Sequence, residues 1–280
     1  MYPPKWYIGL DVQDHYIRAL AATKRRDGWH LRHCWQCNLS NEILSGGRLQ
    51  YPEKLLYILM QWRQTLPKNI SLRLALPVQQ TLQRHVFLPG HTVLQEPELG
   101  WFVQANASKQ FPVSDIALDY RVHDQQVCMS AIRQKDLNLW LQLLSDIDLH
   151  PDAIDISPCA LRYAARMAGV PDDCWLIHKR MADWLWVSPS NRPFGYGLIA
   201  SPSPLPQITS QLPITPETEG YAIYYSDEEQ TQSVKTPPAS VESVNYWQLL
   251  SAFHHYQAPM PDKINAFMIA AGLALRPGDQ

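Results

Sequence analysis

No run of 18 consecutive apolar residues occurs in this 280-residue chain, which excludes a membrane-spanning helix. The opening Met1-Tyr2-Pro3-Pro4-Lys5 lacks the apolar core and small-residue cleavage site of a signal peptide, so the chain is expected to be cytosolic. Excess charge is missing too. The formal net charge is −2, without the basic footprint that free nucleic-acid binding leaves. The densest basic cluster, Lys24-Arg25-Arg26, is short enough to read as a solvated turn. Cysteine is too sparse and too uneven for a disulfide framework, and five scattered residues fit reduced thiols. The one close pair, Cys34 and Cys37, has no second pair at zinc spacing. It sits in an apparent strand rather than at the helix start of a thioredoxin-type site, so it reads as two small apolar residues. What is present is apolar: 46% hydrophobic against 18% charged, with 10 Trp and 13 Tyr. That composition makes a folded chain, long enough for one large domain or two packed lobes.

Periodicity organises the rest. Strand patterns over Trp6–Leu10, Tyr16–Ala22 and Trp29–Leu39 are joined at Arg26-Asp27-Gly28 by an Asp-Gly hairpin signal. A helix over Pro52–Leu66 follows, with Leu55, Leu59, Trp62 and Leu66 at helical spacing, then a buried-type strand at Ser71–Leu76. This β-β-β-α-β order is that of each lobe of the actin-like fold. Residues 80–150 predict a small α/β insertion: strand Leu82–Leu88, helix Glu96–Gln110, hairpin Ile116–Val122 with Gln126–Ile132, and helix Gln134–Asp146. A short strand at Ala153–Ile156 and a helix at Ser157–Ala168 lead to strands Cys174–His178, Met181–Ser188 and Phe194–Ala200. Ser201–Pro216 holds five prolines and reads as a loop with at most a short helix. Strand Gly220–Ser226, a loop at Lys235-Thr236-Pro237-Pro238 and helices at Tyr246–His254 and Pro261–Leu275 complete the expectation. The last helix carries an apolar stripe of Ile264, Phe267, Met268, Ala271 and Leu275. No internal repeat is visible by direct sequence identity.

One missing glycine bears directly on function. Ile8-Gly9-Leu10-Asp11-Val12-Gln13 resembles the first phosphate loop of an actin-type ATPase, which reads Gly-apolar-Asp-x-Gly-Ser/Thr between two strands. Gly9 and Asp11 stand in place, but Gln13 and Asp14 stand where glycine and a hydroxyl residue belong. A left-handed backbone at Gln13 would cost about 1–2 kcal/mol, and its side chain would crowd a nucleotide. The second loop of such a site is a strand ending Asp-apolar-Gly. Here Trp175-Leu176-Ile177-His178-Lys179-Arg180 offers nothing to hold Mg²⁺ through water. The Gly-Gly pair on which adenosine lies is replaced by Tyr224-Tyr225-Ser226-Asp227, and the stretch from Ala200 to Gly220 is too short and proline-rich for an adenine-covering subdomain. Gly9, Asp11 and Gln13 therefore read as a degenerate phosphate loop, with no ATP, Mg²⁺ or other cofactor expected. Asp11 reads as satisfying the tight turn after its strand, and Lys179-Arg180 as a solvated strand end. His254-His255 lacks a carboxylate or cysteine at ligand spacing and reads as adjacent surface histidines, so no metal site is expected.

Six segments in register carry a family resemblance. They are Trp6–Gln13, Leu74–Pro77, Thr81–His85, Phe111–Tyr120, Ala153–Ile156 with Ala160-Leu161, and Ala271–Arg276. Together, across about 270 residues, they resemble the PilM family of actin-like pilus assembly proteins, and most closely its HofM/competence-protein-A branch. The resemblance implies an α/β, two-lobed actin-like fold of the FtsA/PilM type, with an inserted subdomain and a reduced second lobe. On that template residues 1–79 form the first lobe, 80–156 the insertion, 157–173 a connecting helix, 174–260 the second lobe and 261–280 the C-terminal helix. It also implies a cytoplasmic protein at the inner face of the inner membrane. Its partner there would be the N-terminal cytoplasmic peptide of a PilN-like inner-membrane protein, within a type IV pilus or DNA-uptake pseudopilus machine that includes other assembly ATPases and platform proteins. Peptide capture uses strand addition or apolar pockets. Arg84 and Val86 on the insertion's first strand, with the insertion aromatics Trp101, Phe102, Phe111 and Tyr120 taken as exposed, are the candidate partner-binding residues. A non-catalytic adaptor is the reading these observations favour. A divergent ATPase and a DNA-binding protein are the alternatives.

Overall fold

Strict alternation in the first strands gives the opening hairpin two different faces. In the computed structural model, which describes residues 4–90, 94–214, 220–231, 244–257 and 259–278, β1 (Trp6–Gln13) turns at Asp14 and His15 into β2 (Tyr16–Arg25). A second turn leads into β3 (Gly28–Asn38). Ile8, Leu10 and Val12 enter a core on one face of β1, so Gly9, Asp11 and Gln13 lie on the other. A short hairpin of β4 (Leu44–Ser45) and β5 (Arg48–Leu49) follows. Its Gly46 and Gly47 amides donate to the Asp14 carboxylate at 2.9 and 2.7 Å, which ties the β1–β2 turn to this hairpin, while Asp11, expected to satisfy the turn after its strand, lies inside β1.

Helix α1 (Pro52–Arg63) starts with a proline, whose missing N–H has no partner to lose in a first turn. Glu53 and Arg63 complement its two ends, and Leu55, Leu59 and Trp62 are buried against the first sheet. Then come β6 (Ile70–Leu76), β7 (Leu82–Phe87), α2 (Glu98–Gln110), β8 (Ile116–His123), β9 (Gln126–Arg133) and α3 (Gln134–Ser145). After them run β10 (Pro151–Ile156), α4 (Ser157–Met167), β11 (Trp175–Lys179), β12 (Asp183–Val187), β13 (Tyr196–Ala200) and α5 (Leu205–Ser210). The chain closes through β14 (Ile223–Asp227), β15 (Val244–Tyr246), β16 (His255–Tyr256) and α6 (Met268–Leu275). Among the described residues no helix is long and apolar enough to cross a membrane.

Two large sheets share one topology. The first runs β10-β6-β1-β2-β3-β16 and the second β13-β12-β11-β14-β15. In each, an antiparallel meander (β1-β2-β3, β11-β12-β13) is extended by two parallel strands on the side of its first strand (β6 and β10, β14 and β15). The chain thus contains a structural duplication that direct sequence identity does not reveal. Between β6 and β10 lies the insertion, a three-stranded sheet β7-β9-β8 with α2 packed on its own apolar core.

The elements between the lobes depart most from the sequence reading. Strand β10, within the 80–156 span, pairs with β6 and so completes the first sheet. The helix expected over Tyr246–His254 is instead β15, a 3₁₀ turn at Leu249–Ala252, and β16. Both ends of this segment are captured by sheets, β15 by β14 and β16 by β3, and it bridges the two lobes. The closing helix is shorter than expected: a 3₁₀ turn at Ile264–Phe267 precedes α6. Every residue of α6 is buried, because it is enclosed between the first sheet and α4 rather than lying on a surface with one apolar stripe. The expected loop at Lys235–Pro238 lies outside the described residues.

Candidate functional site

The face of β1 that carries Gly9, Asp11 and Gln13 is covered by α6 and the start of α4. Gly9 is covered by α6, and a Cβ there would stand 1.9 Å from the Ala270 carbonyl oxygen. Gln13 is not part of an open loop. It remains in β1, extended and paired with Tyr16. Its buried side-chain amide donates to Asp11 Oδ1 at 2.8 Å and to Ser157 Oγ, at the start of α4, at 3.3 Å. The residue in place of the loop glycine therefore bridges the cleft floor.

From the register partners of that face, Tyr16 and Arg18 on β2 project into the same space. Opposite them stand His178, Arg180 and Glu228 from β11 and β14 and the turns that follow. Arg18 Nη1 lies 2.8 Å from Glu228 Oε1, with both side chains buried. Tyr16 donates its hydroxyl to the same oxygen at 3.0 Å, and His178 Nε2 stands 3.7 Å from it. The Arg18 guanidinium also stacks over the Tyr16 ring and donates to the Ala266 carbonyl at 2.9 Å. Arg180, expected in solvent, is buried and holds the Asp183 carboxylate with Nε and Nη2 at 2.7 and 2.8 Å. Two guanidiniums thus face three carboxylates, those of Asp11, Asp183 and Glu228, which leaves a triphosphate no net positive field. The space beside Gln13, Tyr16 and Arg180 is about 40 Å³, room for a water or two, and a wider space of about 560 Å³ lies beside the ion pair, lined by Arg18, Glu228, Met181, Lys263 and Phe267. Among the described residues between Ala200 and Gly220, the second lobe has one helix, the six-residue α5.

Burial pushes the Asp11 carboxyl up to about 6, against weaker downward pulls from the Gln13 hydrogen bond, Arg180 and Arg18. Burial also penalises a charged Glu228, but His178 and Arg18 outweigh it and hold that carboxyl at about 2. The two groups act oppositely on stability. Asp11 binds its proton more tightly in the folded state, so its contribution is full below the ordinary 3.8 and declines as pH rises through about 6. Glu228 contributes fully above its ordinary 4.5 and loses that as pH falls toward about 2. Asp11→Asn keeps an acceptor for Gln13 without a charge. It is expected to raise stability at about pH 8 by up to about 3 kcal/mol and to remove the decline between about pH 4 and 6. Urea unfolding across a pH series measures both, and a decline unchanged in the variant would assign it to another group.

A second, open feature lies on the far side of the first sheet. A groove of about 190 Å³ separates β10, the sheet's edge strand, from β8, the edge strand of the insertion. Ile154 and Ile156 line one wall, and Ala117, Asp119 and Arg121 the other. Arg121 Nη2 lies 3.7 Å from Asp155 at the groove's end. Among the described residues no further strand pairs with β10 or β8, so both present unpaired backbone edges.

None of the six candidate partner-binding residues lines this groove. Val86 and Phe111 are buried in the insertion's own core, so the expected exposure of Phe111 is corrected. Phe102 and Tyr120 are half-buried against that core, and the Tyr120 hydroxyl donates to the Glu96 carboxylate. Arg84 is exposed on β7, and Trp101 is exposed on α2 at 67%. Of the aromatics only Tyr120 lies on β8, on its inward face with Ile116 and Leu118; the odd-numbered residues one step away face the groove. The cleft residues Tyr16, Arg18 and Glu228 were also missed. An arginine inside the otherwise apolar run Tyr16–Ala22 was the available signal.

Comparison with known proteins agrees with this architecture. DNA utilization protein HofM of Escherichia coli (strain K12) is 22% identical over 274 residues, covering 96% of each chain. A solved PilM-PilN type IV pilus biogenesis complex contains a chain with a TM-score of 0.72 at 14% identity, covering 98% of this chain and 99% of that one. The cytoplasmic domain of EpsL, an inner membrane component of the type II secretion system of Vibrio cholerae, has a TM-score of 0.60 at 10% identity, covering 97% and 95%. The fold is the two-lobed actin-like fold, with the insertion in its first lobe. The family described as type IV pilus assembly protein PilM matches residues 9–173, from β1 past the end of α4 and more than half of the sequence, so the chain belongs to that family.

Proposed function

We propose that this protein is a non-catalytic adaptor of a type IV pilus or DNA-uptake pseudopilus machine. On this reading it works at the inner face of the inner membrane and captures the N-terminal cytoplasmic peptide of a PilN-like membrane protein. The observation that carries the reading is the groove between β10 and β8, where two unpaired strand edges flank an apolar floor. An extended peptide laid there adds a strand, satisfies its backbone against an edge and places alternate side chains on Ile154, Ile156 and Ala117. A volume of about 190 Å³ suits side chains from a chain crossing the mouth better than a whole nucleotide. The solved PilM-PilN complex, a structural neighbour, and the name of the HofM relative support the choice of machine and partner.

Titration with a synthetic N-terminal peptide of the cognate PilN-like protein tests the site. Saturable binding is expected, weakened at least about tenfold by Ala117→Trp, which fills the groove, and changed less than about twofold by Trp101→Ala, which lies outside it. Binding lost in Trp101→Ala but kept in Ala117→Trp would move the site to α2.

The glutamine that occupies the phosphate-loop position supports the non-catalytic half of the reading. Turnover would require expelling a bridging glutamine and opening a buried ion-pair network, with no Asp-x-Gly to hold Mg²⁺. Calorimetry with ATP and Mg²⁺ is expected to give no saturable heat. Saturable heat abolished by Asp11→Ala would restore the ATPase alternative.

A further inference from the structure

At the opposite edge of the first sheet, the fold gathers three ligating side chains that the sequence keeps far apart. Asp27 lies in the turn between β2 and β3, His30 on β3, and His255 on β16, directly opposite His30 in a parallel register. Their ligating atoms all lie within 4.8 Å of one another. His30 Nε2 is 2.9 and 3.0 Å from the two carboxylate oxygens of Asp27, and His255 Nε2 is 3.3 Å from one of them. The two imidazole rings meet edge-on with centroids 4.7 Å apart. Ligands held about 2.0–2.1 Å from a tetrahedral zinc stand about 3.3 Å from each other, so the histidine–carboxylate spacings are already close to those an ion imposes. Two imidazole nitrogens with one carboxylate oxygen form a donor set for borderline first-row dications, and a poor one for Ca²⁺ or Mg²⁺, which take oxygen ligands.

We propose that Asp27, His30 and His255 form a surface site for a Zn²⁺-class divalent ion, its remaining coordination position facing solvent. The placement gives the ion a structural consequence. Strand β16 is the two-residue point at which the chain, returning from the second sheet, rejoins the first just ahead of α6. An ion shared by β16, β3 and the β2–β3 turn fastens that return by bonds stronger than one short strand pairing. Spacing in the sequence concealed the site because the carboxylate that completes it comes from the first hairpin, not from the neighbourhood of His254-His255.

The test is titration of the chelator-treated full chain with ZnCl₂ and with CoCl₂. One saturable equivalent is expected, and bound cobalt should show d–d absorption without a thiolate-to-cobalt charge-transfer band, which separates this site from Cys34 and Cys37. Asp27→Asn and His255→Ala, both at exposed positions, should each weaken binding by about tenfold or more, with folding checked by circular dichroism. His150→Ala, an exposed histidine elsewhere, should change binding less than about twofold. No saturable uptake up to about millimolar ion overturns the proposal, and so does uptake unchanged in the Asp27→Asn/His255→Ala double variant.

Discussion

Glu228→Ala is expected to destabilise the protein by about 3–5 kcal/mol, through the charge it leaves behind rather than the contact it removes. Arg18 would remain buried, 2.8 Å from where its carboxylate had been, with neutral partners at the Ala266 carbonyl and at Gln36 Oε1. Tyr16 would lose the acceptor of its buried hydroxyl, and His178 its closest acidic neighbour. Charge reduction on both sides has the opposite logic. An Arg18→Met/Glu228→Leu double variant removes two desolvated charges together and fills similar volume, so it should recover most of the loss. A double-mutant cycle should therefore give a coupling energy of about 2 kcal/mol or more between positions 18 and 228, read by urea unfolding near neutral pH. Single-variant losses below about 1 kcal/mol that simply add would mean that the pair is solvated and the cleft open in solution. Because the pair joins β2 of the first lobe to the end of β14 in the second, its rupture should also loosen the lobes against each other. Faster amide exchange in β14 than in β6 would register that.

Much of the fold was legible because local periodicity reports local structure. The meander Trp6–Asn38, helix α1 and every element of the insertion stand within a few residues of where alternation and helical spacing put them. The departure from the phosphate-loop pattern at Gln13 was legible too, since it is one letter in a short pattern. The network beside it was not. Arg18 and Glu228 are 210 positions apart, and nothing about either residue alone points to the other. His255 needed Asp27 for the same reason. The groove failed differently. It is lined in part by the insertion, but of the candidate residues Val86 and Phe111 are buried in the insertion's own core and Phe102 and Tyr120 pack against it, because a small sheet must first bury a core of its own. The residues that line the groove are those the core does not need, here Ala117 and Asp119, and composition gives them no distinction. The segment after Tyr246 was misread because a helical pattern and a bridge between two sheets both bury Leu249 and Ala252.

Gly272→Ala is expected to be as damaging as breaking the buried pair, at about 3 kcal/mol or more, and it carries its own control. An added Cβ would stand 1.8 Å from the Ala160 carbonyl oxygen and 2.5 Å from its carbon, where α6 crosses α4. Neither atom belongs to a side chain that could rotate away, so the helices must separate, and overpacking of this kind costs at least the usual 1–3 kcal/mol, to be taken as about the upper end. Helix propensity pushes the other way, since alanine is better than glycine by about 1 kcal/mol in a helix interior. The same substitution at Gly100 in α2 has only side-chain ends as its nearest neighbours, the Glu96 carboxylate at 3.0 Å and the Tyr120 hydroxyl at 3.8 Å, so Gly100→Ala should be neutral or stabilising by a few tenths to about 1 kcal/mol. Opposite signs at two helical glycines, measured by thermal or urea unfolding, isolate the crossing from propensity. A stabilised Gly272→Ala would mean that α4 and α6 do not meet this closely. Gly9 completes the argument from the sheet side, for its Cβ would meet the Ala270 carbonyl oxygen at 1.9 Å and Leu273 Cβ at 2.7 Å. Helix α6 is therefore held between two positions that admit no side chain, one on α4's crossing and one on β1. Gly9→Ala should accordingly cost stability in a protein with no nucleotide present. The first glycine of the phosphate-loop pattern is then required by helix packing alone, and its presence says nothing about ATP.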